Sequence, residues 1–466
     1  MVGRGRIIAA CIGLMVLGSV SSGATESAAG WKAGVATVAI TPEQPMWMAG
    51  YAARTKPSEG KIHDLNAKAL ALEDARGTRF VIVTMDLIGF PREFRDNVEK
   101  QVSTRYELRP ESLLLSVSHT HCGPEIRAWR ATQAWDLPPE QIELGSRYSE
   151  DLQVKVLDLV GRALGSLAPA QLSYVHGRAA VAMNRRGPTE RGYVISPNAD
   201  GPVDHDVPVL RVTTPDAKKT LAILFGYACH NTTLDFYQFC GDYAGFAQQD
   251  VEETHPGTVA LFIAGCGGDQ NPTPRRSLEW AKQHGRALAN GVEQALASKP
   301  RPVQGPLRLA LSEAMLELTP PPTVEELKKQ ANSTNKYESR HAQELLKELE
   351  RTGKSRSTYP YLVHVARFGD DLTMVGLAGE VVVDYSLRLK SELSRSASAG
   401  ERPAVWVAGY CNEVFGYVPS QRVLQEGGYE ARDSILYYDV TVTPFAPSVE
   451  KLIVDKVHEL VRQASR

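Results

Sequence analysis

Short apolar runs and longer amphipathic stretches alternate along most of this chain. Phe80–Asp86, Ser112–Ser118, Leu221–Cys229, Val259–Ala264 and Leu372–Leu377 are of strand length and apolar almost throughout. That pattern predicts buried strands, because a half-exposed strand would alternate with polar residues. Between them, Arg92–Tyr106, Ser149–Leu167 and Ser277–Ala297 space their apolar residues as helices do. The rhythm predicts an α/β fold with a mixed, largely buried β-sheet flanked by helices. Nothing rich enough in Pro, Gly or Ser separates two domains, so a single large domain is expected over 31–466. Residues 320–352 break the rhythm: a proline run leads into a charged amphipathic stretch. Thr323 and Glu326 have the spacing of a capping box there, and the segment is expected as a helical insertion. Ser448–Ala464 reads as a closing helix.

Composition narrows the class. The chain has 466 residues and is 43% hydrophobic, enough for a large core. Its 52 basic and 54 acidic residues nearly cancel, and no dense basic stripe interrupts the body. A nucleic-acid partner is therefore excluded. At the start, Arg4 and Arg6 precede an apolar run from Ile7 to Val20, followed by small and polar residues up to Thr25. This is the layout of a signal peptide over 1–24, and it predicts a periplasmic or secreted protein. The run falls short of the ~20 residues that span a bilayer. No later stretch reaches that length, so no stable membrane span is expected. Of six cysteines, Cys11 would leave with the signal. The remaining Cys122, Cys229, Cys240, Cys266 and Cys411 are odd in number, which argues against a disulfide scaffold. Cys229 and Cys240 are the nearest pair in sequence.

The residues that carry chemistry cluster where predicted strands end, which is where open α/β sheets bind ligands. His119 and His121 follow the second strand; alternate side chains of a strand share a face, so both can point the same way. Gly123-Pro124 then forces a turn. His230 ends the strand 221–229, and a histidine in that place is either a ligand or a buried, hydrogen-bonded side chain. The glycines of Gly265-Cys266-Gly267-Gly268-Asp269-Gln270-Asn271-Pro272 let a backbone approach a ligand closely, or simply make a turn. Glu380, after Gly379, is either a helix N-terminal charge or a ligand.

Taken together these stretches resemble one family. Gly34–Pro42, Ser118–Pro124, Asn184-Arg185, Tyr227–Asn231, Gly268–Pro272, Gly379-Glu380 and Gly416–Val418 occur in the order found in the catalytic domain of neutral/alkaline (non-lysosomal) ceramidases. The resemblance implies a hydrolase with Zn2+ held by His119, His230, Glu380 and Tyr417, a mixed N/O set with an open position for water. It implies proton transfer or polar binding by His121, and substrate-polar-group contacts by Arg185 and Tyr429. Asp269 would orient a ligand or cap the following turn. Where the family carries a serine this chain has Asn271, which as an amide can donate to an oxyanion; Cys122 likewise stands for a serine. The family's full-length enzymes carry a further C-terminal β-sandwich, and this chain is expected to end with the catalytic region. The expected reaction is cleavage of an N-acyl amide, ceramide-like or another acylated amine. The alternative is a zinc-dependent glycoside hydrolase or lyase on the same scaffold, so the expected partner is a lipid-like or glycan small molecule.

Overall fold

The computed structural model describes residues 1–3, 30–127, 135–395, 403–438 and 442–465. Apart from residues 1–3, the signal-peptide expectation for 1–24 lies outside them.

Among the described residues the largest sheet has nine strands. Its main path runs Val259–Ala264, Thr220–Tyr227, Asp206–Thr213, Ala168–Arg178, Trp31–Ala39, Asn66–Glu73, Arg79–Met85, Leu113–Val117, and Arg301–Val303 pairs beside Ala168–Arg178. Most neighbours are antiparallel, and the sheet is parallel only at its two ends. At one end Val81 to Met85 pair with Leu113 to Val117, connected through the helix Arg92–Tyr106. At the other, Ala222 to Tyr227 pair with Val259 to Ala264, connected through Asp242–Thr254. Parallel neighbours need such a crossover. The sheet curls until its two end strands, Leu113–Val117 and Val259–Ala264, approach one another.

The continuous apolar runs have a simple cause. Val81, Val83 and Met85 pack into one core with helical residues Phe94, Val98, Val156 and Leu288. Their neighbours Phe80 and Ile82 point the other way, into a core with Phe368, Met374 and Trp406. Those last residues belong to a second, four-stranded sheet, Leu307–Glu317, Thr358–Phe368, Leu372–Leu377 and Ala404–Ala408. Its far face packs against the helix Val449–Gln463. The molecule is thus layered helix, sheet, sheet, helix. The mixed, largely buried sheet with flanking helices is observed; the second sheet is an addition that the rhythm did not separate from the first.

Most helices match their predicted spans. Arg92–Tyr106 is unchanged, and Ser277 caps Leu278–Leu296 by accepting from the Trp280 N–H. The helix expected from Ser149 begins at Pro139, where proline's fixed φ suits a first helical turn. The 320–352 segment forms two helices, Val324–Gln330 and Lys336–Thr352, and the Thr323/Glu326 capping box is present. Tyr337 of the second helix packs against Tyr437 at a tilt, with ring centroids 4.7 Å apart. The insertion therefore leans on the segment that walls the site described next.

Candidate metal and active site

Three turns at strand ends build the centre. Leu113–Val117 ends two residues before His119, which takes a left-handed backbone conformation, φ 58°. That conformation costs a non-glycine residue about 1–3 kcal/mol and is tolerated where the surroundings impose it. Strand alternation therefore does not aim these histidines, contrary to the expectation; the strand has already ended and the turn turns them. His121 still faces His119, their Nε2 atoms 3.3 Å apart. His230 follows Thr220–Tyr227 at the opposite end of the curled sheet, and its N–H donates to the Gln270 carbonyl. The third turn, 265–272, follows Val259–Ala264. A Cβ on Gly267 would stand 2.6 Å from the Cys229 N, and one on Gly268 2.5 Å from the Glu380 carbonyl oxygen. These glycines do permit a close approach, but to the two backbones that carry His230 and Glu380.

Glu380 and Tyr417 are brought together by pairing. Glu380–Val381 and Tyr417–Val418 form a short parallel ladder in which Glu380 lies opposite Tyr417. Each follows a strand of the smaller sheet, Leu372–Leu377 and Ala404–Ala408, themselves parallel neighbours.

The polar atoms converge. Glu380 Oε2 lies 3.1 Å from His119 Nε2 and 3.0 Å from His230 Nε2, and Tyr417 Oη lies 3.1 Å from His230 Nε2. The other ring nitrogens are committed: His119 Nδ1 sits 2.6 Å from the Ile88 carbonyl and His230 Nδ1 2.7 Å from the Gly267 carbonyl. A carbonyl can only accept, so each Nδ1 carries the proton and each Nε2 presents a lone pair to the centre. Two lone pairs and a carboxylate oxygen so close together repel unless something positive lies between them. Four donors at ~2.0 Å from a tetrahedral zinc stand about 3.3 Å apart, which these separations approach. The donor set fits a divalent metal. His119, His121 and His230 also form a group with the spacing to hold an ion. His121 differs in that its Nδ1 is buried without a hydrogen-bond partner.

Burial dominates the electrostatics. It holds His230 down to about 4, helped by the Arg185 charge, and puts His121 well below the ordinary imidazole value, with His119 and His230 adding to the effect. Burial would raise Glu380, but the closeness of the His119 and His230 rings outweighs it and holds the carboxyl well below its ordinary value.

The remaining predicted residues sit in a shell around this centre. Arg185 donates from Nε to Glu430 (2.8 Å), from Nη1 to Asn271 Oδ1 (3.3 Å) and from Nη2 to the Tyr417 hydroxyl (2.9 Å). Each of its three nitrogens thus meets a protein group, and Arg185 holds Tyr417. Tyr429 packs on Tyr417 with ring centroids 5.4 Å apart. Asn271 accepts from Arg185 and from Thr232 Oγ1 through the same Oδ1, so its amide nitrogen is turned away from both. Asp269 touches neither histidine. It accepts from the Val383 N–H at the start of the helix Val383–Arg395, far along the chain rather than in the following turn, and from Asn184.

Sequence reading missed four participants. The Tyr438 hydroxyl donates to Glu380 Oε1. Glu430 and Arg186 extend the Arg185 network, with Arg186 Nη1 2.6 Å from Glu430 Oε2. Tyr410, also left-handed at φ 55°, lies with its ring centroid 4.5 Å from that of His119. None belongs to a recognisable spacing; the paired Tyr437-Tyr438 is the faint signal available. All five described cysteines are buried free thiols, so the Cys229–Cys240 pair is not bridged.

Beside Tyr417 and Tyr438 lies a small cavity of about 40 Å³, walled largely by Phe415, Ala431, Ile435, Val442 and Phe445. No described helix is long and apolar enough to cross a membrane.

Comparison with known proteins agrees with this geometry. Solved structures with the same fold include a neutral ceramidase from Pseudomonas aeruginosa, 18% identical with a TM-score of 0.71, covering 94% of this chain and 75% of that one. Another is a ceramidase complexed with C2, 17% identical with a TM-score of 0.69, covering 93% of this chain and 76% of that one. No curated protein gives a significant match. Neither the family match nor the structural neighbours point to a glycan substrate. Residues 31–274 match the family model for the N-terminal part of neutral/alkaline non-lysosomal ceramidases, and the chain belongs to that family.

Proposed function

We propose that this chain is an exported zinc hydrolase that cleaves an N-acyl amide, of the ceramide type or another acylated amine, with one catalytic domain over 31–466. One observation carries the reading: two buried imidazoles, each fixed by a backbone carbonyl on Nδ1, turn their Nε2 lone pairs onto the same oxygen of Glu380. Carbonyl acceptors behind the ring are the usual companions of metal-bound histidine. His119, His230, Glu380 and Tyr417 would hold the ion, in agreement with the resemblance. Bound zinc supplies a water whose pKa lies near neutrality and polarises the amide carbonyl.

The chain's own residues supply the rest. His121 lacks a carbonyl behind its ring, so it serves as the proton carrier between the attacking water and the leaving amine rather than as a fifth ligand. Asn271, whose Oδ1 is taken by Arg185, has its amide N–H group left to donate to the oxyanion. Arg185, itself clamped by Glu430, keeps Tyr417 in place.

The test is hydrolysis of a fluorescent N-acylsphingosine, and of a small panel of other N-acyl amines, by protein stripped of metal and then reloaded with zinc. Amide cleavage that disappears with the metal and returns with it supports the reading. Metal-loaded protein that cleaves no amide on the panel contradicts it. Export is tested separately: protein recovered from outside the cytoplasm should begin near Thr25, and retention of Met1 would refute a cleaved signal.

A further inference from the structure

Tyr51 stands at the lip of the histidine centre, its ring centroid 4.9 Å from that of His121. Two guanidinium groups lie against the same ring, Arg54 at 5.4 Å and Arg276 at 5.3 Å from its centroid. Arg54 is buried, and it donates to the carbonyls of Phe236 (2.8 Å) and His121 (2.9 Å), so no carboxylate neutralises it. Arg276 is paired with Asp235 at 2.6 Å. Arg275 is different again. Its Nε donates to the carbonyl of Thr232 (2.8 Å), two residues beyond His230, and its two Nη groups meet no acceptor among the described residues. Thr232 in turn contacts Asn271, and the Asn231 carbonyl accepts from the His121 N–H. Arg275 is thereby anchored on the loop that joins His230, Asn271 and His121, with its free edge uncommitted. Burial raises the Tyr51 hydroxyl to about 12, and the strongest pull against that comes from Arg275.

Three cationic side chains thus border this side of the centre, and one carboxylate pairs with them. Asp242, the other acid near Tyr51, spends its oxygens on the N–H groups of Leu234 and Tyr243. A neutral substrate leaves this charge unanswered. An anion beside the scissile bond answers it, and the two free Nη groups of one guanidinium match the two oxygens of a carboxylate.

We propose that the substrate bears a carboxylate on its amine half, as in an N-acylated amino acid, and that Arg275 receives it. The proposal rests on the amide-hydrolase reading above.

The test compares N-decanoylglycine with N-decanoylethanolamine, which share an acyl chain and differ in carboxylate against hydroxymethyl. Both are assayed on the zinc-loaded full chain of wild type, Arg275→Gln and Arg275→Lys, and the binding of each is measured by calorimetry. Wild type should favour the glycine conjugate in kcat/KM. The ratio between the two should fall about 10- to 100-fold in Arg275→Gln, the worth of a charge-assisted hydrogen bond, and recover in part in Arg275→Lys. Cleavage of both amides without preference, or a preference that Arg275→Gln leaves intact, overturns the proposal while sparing the amide-hydrolase reading. Binding of the glycine conjugate that Arg275→Gln abolishes, with neither amide cleaved, sustains the anion site and defeats the hydrolase reading. Absence of both binding and cleavage defeats both.

Discussion

Gly268→Ala is a demanding probe of how the centre is held, because it adds one methyl group and touches no candidate ligand side chain. The new Cβ would sit 2.5 Å from the Glu380 carbonyl oxygen, 2.9 Å from that of Val381 and 3.0 Å from the Glu380 carbonyl carbon. All three are backbone atoms, so no flexible side chain can step aside. Ordinary contact begins near 3.4 Å, and the Glu380 strand must retreat by about 1 Å. Gly268 does not adopt a positive φ, so strain in its own backbone does not confuse the result. Overpacking of this kind costs about 1–3 kcal/mol in stability. The larger consequence is geometric, because Glu380 Oε2 stands 3.0–3.1 Å from both histidines. Losing that alignment should weaken zinc binding about 10- to 100-fold, the usual effect of disturbing the support of a ligand. Competition with a chromophoric chelator reads the affinity and thermal melting reads the stability. Gly165→Ala is the control: the position is open, lies at the end of the helix Pro139–Gly165, and should be neutral or gain up to about 1 kcal/mol. A Gly268→Ala protein with wild-type zinc affinity would refute the claim that the glycine loop positions Glu380.

Three further outcomes are expected. Tyr438→Phe removes the donor to Glu380 Oε1 and should lower zinc affinity about 10-fold or more while the chain stays folded, as read by chelator competition and circular dichroism. Glu430→Ala leaves the buried Arg185 cation without a carboxylate and Arg186 with Glu426 alone, and should cost about 3–5 kcal/mol, measured by urea unfolding of the metal-free protein. His364, buried away from the centre, is held down to about 4 by burial and offers its Nε2 to the Glu111 carbonyl (2.9 Å). The unfolded chain takes up that proton below about 6.5 and the folded chain only near 4, so this histidine makes the protein lose stability as pH falls between those values, by about 3 kcal/mol in all. His364→Gln should flatten the fall in urea midpoint from pH 6.5 to 4.5 by close to one proton, and an unchanged slope would refute the assignment.

Much of this molecule was legible in its residues, for identifiable reasons. The runs at 80–86, 113–117 and 259–264 announce themselves as buried strands because helices cover one face and a second sheet covers the other. The same double burial hid the second sheet, since a strand between two sheets reads like a strand between sheet and helix. His119, His230 and Glu380 stood out because each follows an apolar run, whereas Tyr417 came only with the family resemblance. Their meeting was not legible from local pattern: His119 and His230 lie at opposite ends of a sheet that curls, and Glu380 and Tyr417 meet through a two-residue ladder. The partner of Arg185 was hidden for a related reason: Glu430 lies 245 positions away on an irregular segment. Tyr438 lies on the same segment, where no period points to a partner.

The central claim is that His119, His230, Glu380 and Tyr417 hold a metal on which the chemistry depends. Elemental analysis after zinc reconstitution, on wild type and on the His119→Ala/His230→Ala double variant, tests it most directly. The account predicts about one zinc per chain in wild type and none retained in the variant, as a single tetrahedral site requires. A wild-type protein that takes up no metal, or a folded double variant that keeps its zinc, would contradict it.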